Sequence, residues 1–346
     1  MQDNFELDGI SVKPGSRQSV RIPVSLMSDH TPMAMQVEVL HGREAGPTVF
    51  ISAAIHGDEI IGVEIVRRVL RALRPRRMQG TLIAVPIVNS FGFINRSRYL
   101  PDRRDLNRSF PGSEGGSLAS RLADIFLQDI VKRCDFGIDL HSAAIHRTNL
   151  PQIRIAAGNE RLLQLASAFA APLTLTSPLR DGSLRKAARE NGVEILLFEA
   201  GEALRFDETA IRIGVSGTLR VLAHLQMIAD KGLSGPRVKR QIKSRSSSWV
   251  RADAGGLLRA YKTTGDLVDE TTVLGVIADP VGQVEKEVFA TTAGLIIGRT
   301  NLPLVNEGDG IFHIARVDSI DDAESTLDKI NAHVEGDPLF DEDEII

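Results

Sequence analysis

Ile51-Ser-Ala-Ala-Ile-His-Gly-Asp-Glu-Ile60 sets the fold reading. The apolar and small residues from Thr48 to Ile55 read as a buried strand, and the chain breaks at His56-Gly57-Asp58-Glu59. After Ile60 the apolar residues Ile61, Ile65, Val69 and Leu73 recur every fourth position, the period of an amphipathic helix. A histidine and a glutamate three residues apart at the C-terminal end of a buried strand can aim two metal-competent side chains at one point. The spacing alone is weak evidence. With eight histidines, about one His-x-x-Glu pair is expected by chance, and His41-Gly-Arg-Glu44 is a second one. That second pair lies at the N-terminal side of the same strand, where α/β sheets do not gather ligands, and reads as a solvated turn.

The same texture continues outward. Thr81 to Val88, Cys134 to Leu140, a stretch near Ile153–Ala157 and Val193 to Phe198 read as strands. Helical patterns run over Leu118–Val131, Glu160–Phe169, a segment after Asp181 and Glu208–Ile228. Alternating strands and helices predict an α/β sheet covered on both faces. Residues 1–45 read as a β segment packed on a catalytic domain at 46–230. Residues 231–248 are Gly-, Ser- and Arg/Lys-rich and read as a solvated linker. Its basic run, Arg237-Val-Lys-Arg-Gln-Ile-Lys-Ser-Arg245, has no interleaved aromatic and gives no nucleic-acid signal. Glycine-punctuated short strands over 249–318 predict a small all-β domain, and 319–346 reads as an acidic tail with mobile last residues.

Composition narrows the partners. The chain has 346 residues, a net charge of -4 and one cysteine, Cys134. The acidic balance speaks against nucleic acid or an anionic membrane surface. A lone cysteine excludes an intramolecular disulfide and a multi-cysteine metal site and suits a reducing compartment. The N-terminus shows no targeting pattern and no apolar run has spanning length, so a soluble cytoplasmic protein is the expectation. A homo-oligomer is left open.

Ligands of open α/β sheets bind beyond the carboxyl ends of strands. His56 and Glu59 follow the strand ending at Ile55, His141 follows the one ending at Leu140, and Glu199 the one ending at Phe198. The bland reading of His56 and Glu59 is a helix-capping acid beside a partly buried imidazole. Three strand ends delivering His/Glu, His and Glu instead fit a catalytic zinc site. Such a site has three protein ligands and an open position for water, with the additional glutamate as base. The polar stretch from Asn89 to Gly116 reads as one long functional loop. It supplies Arg98, Arg103, Arg104, Asn107 and Arg108, whose forks suit an anionic substrate. Arg103 and Arg104 read better as surface ion pairs.

His56-Gly-Asp-Glu59, Asp105-Leu-Asn-Arg-Ser-Phe-Pro-Gly112, Asp139-Leu-His-Ser142 and Phe198-Glu-Ala-Gly-Glu202 resemble, in order, the motifs of the succinylglutamate desuccinylase/aspartoacylase family. The resemblance implies a mixed-sheet, zinc carboxypeptidase-like α/β fold with helices on both faces, and one Zn2+ per chain held by His56, Glu59 and His141. It further implies Glu199 as general base and proton donor to the leaving amine, and Arg98 as the group polarising the scissile carbonyl. Asn107 and Arg108 would hold the α-carboxylate of a small carboxylated amide, and Asp105 would orient a ligand histidine. No family motif assigns Arg147 or Arg154; each reads equally as a surface ion-pair partner or a contact for a distal acyl carboxylate. The C-terminal β part is similar to a lipoyl-like barrel-sandwich. Its exposed turn, Asp279-Pro-Val-Gly-Gln283, has no carrier lysine, and Lys286 falls in the following strand.

The expected activity is hydrolysis of an N-acyl amino acid. The alternatives are a carboxypeptidase acting on short peptides and a metal- or ligand-binding module without turnover.

Overall fold

The structure is a computed structural model that describes residues 2–230, 232–233 and 242–335. A sheet of 13 strands forms its spine. Gln79–Val85, Glu44–Ala53, Phe136–Ala143 and Glu194–Glu202 lie side by side and parallel at its centre. Pro32–His41 and Ser16–Leu26 extend it antiparallel on one flank, and Arg147–Ile155 on the other. The sheet is therefore mixed.

Alternation along the central strands sends side chains into two cores. Val49, Ile51, Ala53, Ile138, Leu140, Leu196 and Phe198 face the helices Ile61–Ala72, Glu160–Phe169 and Glu208–His224. Phe50, Ile83, Val85 and Ile195 face Leu118–Ile125 and Leu184–Glu190. Period-two alternation then puts Ser52, Asp139, His141 and Glu199 on the second face. These polar side chains interrupt otherwise apolar strands, and hydrogen bonds join Ser52, Asp139 and His141 at the carboxyl end of the parallel core. Among the described residues no helix is long and apolar enough to cross a membrane.

Several expectations need correction. His141 and Glu199 lie inside the strands Phe136–Ala143 and Glu194–Glu202, because backbone pairing continues past the last apolar residue of each run. The stretch 89–116 is no uniform loop. It holds the helix Ser90–Asn95, capped by the Asn89 side chain, and a helical turn at Leu106–Arg108. The strand read near 153–157 starts at Arg147. His41 is buried, with Nδ1 2.8 Å from Thr81 Oγ1 and Nε2 2.8 Å from the Asp3 carbonyl, so its imidazole is not solvated, whereas Arg43 and Glu44 of the same turn are exposed.

The C-terminal region also differs. Gly294–Thr300 pairs antiparallel with Arg147–Ile155, and Gly310–Ala315 and Ser247–Arg251 follow, so this part continues the main sheet. A second sheet of four strands carries Val273–Ala278 and Glu285–Phe289, joined by the turn at 279–283. Lys286 lies in the latter strand and pairs with Asp253 at 2.7 Å. Within the expected linker, Ile242–Ser244 is a strand parallel to Leu173–Thr176. The basic run up to 241 lies outside the described residues. In the expected tail, Ile320–Glu335 is a helix that buries Ala323, Leu327 and Ile330. Those apolar positions share one helical face, which an averaged acidic composition conceals. Residues 336–346, and with them the mobile end expected there, lie outside the described residues.

Candidate metal centre

His56, Glu59 and His141 converge. One ligand atom from each lies within 4.8 Å of the others, and all three side chains are buried. The backbone turns sharply to achieve this. Ala54 has a φ of 50°, a left-handed conformation uncommon for alanine, just before the histidine. Gly57 packs against the helix Ser90–Asn95 so closely that a Cβ there would stand 2.0 Å from the Gly92 carbonyl carbon. Any side chain at 57 would push the His56 loop off its position.

Both imidazoles are oriented the same way. His56 Nδ1 and His141 Nδ1 each lie 2.7 Å from Glu59, one on each carboxylate oxygen. Each ring turns its Nε2 to an aspartate: His56 to Asp105 at 3.1 Å, His141 to Asp139 at 2.8 Å. Asp139 is itself fixed by the Ser52 hydroxyl at 2.7 Å. This is the disposition expected of metal-binding histidines, whose second nitrogen donates to a carboxylate that sets ring orientation and basicity.

The charge balance points the same way. Burial lowers the His141 pKa, but Asp139 and Glu59 outweigh it and hold it well above the ordinary value. His56 is likewise raised, burial being outweighed by Glu59 and Asp105. Burial would raise Glu59, yet the two imidazoles hold it well below the usual carboxylate range. A buried pocket that favours positive charge, lined by two imidazoles and a carboxylate, fits zinc.

The other expected residues fall into two groups. Asp105 joins the centre. It accepts from His56, from the Asn107 backbone N–H at 2.8 Å and from Arg98 Nη2 at 2.9 Å, and with Arg98 and His56 outweighing burial its pKa lies far below normal. Arg98 also donates to Glu59 at 3.1 Å. Asn107 and Arg108 stand on the turn that Asp105 caps. The Asn107 side-chain Oδ1 accepts from the Leu184 backbone N–H at 2.9 Å, and the Arg108 side chain is exposed and donates to the Asn107 backbone carbonyl.

Glu199 makes its contacts elsewhere. It is the register partner of His141 on the neighbouring parallel strand, but its carboxylate meets Asn149 at 2.9 Å and Arg154 at 3.5 Å. Arg147 lies over the Trp249 ring, 4.9 Å from its centroid.

Two contacts had no counterpart in the sequence reading. Asp139 was legible as Asp-x-His in a strand, where residues two apart share a face. Asn149 was not, since it precedes the strand read near Ile153–Ala157. Asp139→Asn should weaken zinc binding by about 10–100-fold in chelator competition, with the fold unchanged by circular dichroism. An unaltered zinc affinity would remove Asp139 from the centre.

Comparison with known proteins agrees with this geometry. Residues 45–225 match the model of the succinylglutamate desuccinylase/aspartoacylase catalytic domain. The chain is 27% identical over 326 residues to the N-alpha-acetyl-L-2,4-diaminobutyric acid deacetylase of Halomonas elongata, covering 91% of this chain and 94% of that protein. A succinylglutamate desuccinylase/aspartoacylase from Rhodobacter sphaeroides superposes with a TM-score of 0.80 at 25% identity, over 88% of this chain and 96% of that one. The product-bound ectoine utilization protein EutE (DoeB) from Ruegeria pomeroyi gives 0.78 at 24%, over 91% and 99%, a likeness of fold. With its catalytic-domain match spanning the strands and turns that bring His56, Glu59 and His141 together, the chain belongs to the succinylglutamate desuccinylase/aspartoacylase family.

Proposed function

We propose that the chain is a zinc-dependent amidohydrolase that releases the amino acid from a small N-acyl amino acid. The observation that carries this is the buried His56/Glu59/His141 triplet with an aspartate behind each ring. Support for the substrate class comes from the deacetylase relative in Halomonas elongata. One zinc per chain, held by those three side chains, would act as a Lewis acid toward water and the acyl carbonyl.

The remaining chemistry belongs to the chain. Glu199 takes a proton from the water whose oxygen bonds to the acyl carbon. The same carboxyl then gives that proton to the amide nitrogen as the C–N bond breaks, leaving a carboxylic acid and a free amine. Arg98, whose guanidinium already lies against Glu59 and Asp105, stabilises the negative charge developing on the acyl oxygen. Asn107 and Arg108 hold the substrate's α-carboxylate, the exposed Arg108 as the charged partner. Residues 249–318, read as a barrel-sandwich-like domain, wall the mouth. Asn301 donates from its backbone to the His146 carbonyl at 2.7 Å and from its side chain to Glu202 at 2.9 Å.

The test is a panel of N-acetyl and N-succinyl amino acids, including Nα-acetyl-L-2,4-diaminobutyrate, given to the zinc-loaded protein and scored for free amine. Release is expected from at least one member, with loss on chelation and recovery on adding zinc. Hydrolysis of unblocked dipeptides alone would make the protein a peptidase. Binding without turnover would make it a ligand-binding module.

A further inference from the structure

The Glu199 carboxylate is gripped from the adjacent antiparallel strand. Asn149 Nδ2 donates to Oε2 at 2.9 Å, whereas Arg154 Nη1 stands 3.5 Å from Oε1. The Glu199 side chain is only 13% exposed, so a partner for its charge matters energetically. Asn149 does not face Glu199 directly. Glu199 pairs with Gln152 and Gly201 pairs with Asn149, with a register shift between them. Irregularities of this kind re-aim side chains, and here the shift brings the Asn149 amide diagonally onto the carboxylate.

Space for that diagonal reach comes from the C-terminal strand. Asn149 is flanked by Gly201 on one side and by Gly298 of the C-terminal strand Gly294–Thr300 on the other. A Cβ at Gly298 would stand 2.8 Å from Asn149 Oδ1. The nearest atom is thus the end of a side chain that can swing aside, so an alanine at 298 would displace the amide rather than break the sheet.

We propose that Asn149 is the positioning residue for Glu199, and that Gly298 permits it, making the C-terminal strand part of the catalytic apparatus. The inference rests on Glu199 being the general base. A neutral amide fixes the carboxylate without adding a cation beside it. By engaging Oε2 it leaves Oε1, which faces only the more distant Arg154 Nη1 at 3.5 Å, as the oxygen that receives the proton.

The test uses the zinc-loaded full chain, the N-acyl amino acid of the panel that it hydrolyses fastest, and substitutions at three positions: Asn149, Gly298 and Glu199. Asn149→Ala should lower kcat by about 10–100-fold with KM little changed. Asn149→Asp, nearly isosteric, turns an acceptor toward an acceptor and should fall at least about tenfold below the alanine variant. Gly298→Ala should reproduce the Asn149→Ala loss yet add nothing in the Asn149→Ala background. Nor should Asn149→Ala add anything to Glu199→Gln, because residues acting as a unit are not additive. Zinc content should match the parent throughout, and Tm should fall by no more than about a few degrees where the Glu199 charge loses its partner. A substrate-free readout accompanies these: the Asn149 side-chain amide NMR signal, assigned with Asn149→Ala, should move in Glu199→Gln and in Gly298→Ala.

An inactive Glu199→Gln beside fully active Asn149 variants, or an amide signal unmoved by both changes, would overturn the inference and leave the base intact. An active Glu199→Gln would overturn the base itself.

Discussion

Glu199→Gln should lower kcat on the order of 10³-fold, within the range for loss of a general acid–base group, while one zinc per chain stays bound. The substitution keeps the size of the side chain and leaves an oxygen that can accept from Asn149, so the local hydrogen bond survives. What it removes is the ability to take a proton from water and return it to the amide nitrogen. None of the proposed ligands is altered, because Glu199 contacts Asn149 and Arg154 and not Glu59. KM should change little, since Asn107, Arg108 and Arg98 are untouched. The combination to measure is turnover by amine release, metal content by elemental analysis, and Tm. A variant that keeps both zinc and activity would end the proposed mechanism. One that loses zinc would show that Glu199 belongs among the ligands.

The site was legible where its signals were local. The run from Thr48 to Ile55 ends in His56 over a few residues, and the polar residue closing an apolar strand can be seen without knowing what pairs with it. The same holds for Leu140-His141 and Phe198-Glu199. Helix Glu160–Phe169 was legible in full, because its apolar spacing is intrinsic to the segment. Contacts that depend on pairing were hidden. Nothing in the sequence places Asn149 beside Glu199, since that adjacency is made by an antiparallel partner and a register shift. Nor does any local pattern show that Gly294–Thr300 continues the catalytic sheet, and glycine-rich short strands read equally well as a separate domain. The acidic segment after 318 misled for another reason: Ala323, Leu327 and Ile330 suffice to dock a helix, whatever the charge of its other face.

Glu59→Gln should abolish stoichiometric zinc binding and also destabilise the metal-free protein, by about 3–5 kcal/mol where both imidazoles are charged. Glu59 is 2% exposed and its two oxygens separate imidazoles whose ring centroids are 5.0 Å apart. A neutral amide in its place leaves two buried cations facing each other. The pH dependence follows from the directions of the shifts. The Glu59 pKa is depressed, so its contribution is present above the unfolded value of ~4.3 and is lost as the pH falls toward the folded one. The His141 pKa is raised, so its contribution is complete below the unfolded value of ~6.5 and is lost as the pH climbs through the folded one. In urea unfolding of chelated protein, the gap between parent and variant should be widest between those two unfolded values and narrow on both sides. A gap independent of pH would mean that packing, not charge, holds the triplet. Zinc must displace the protons that His56 and His141 carry toward Glu59, so metal uptake by the parent at neutral pH should release protons into a weakly buffered solution. Uptake without proton release would place the metal at other ligands.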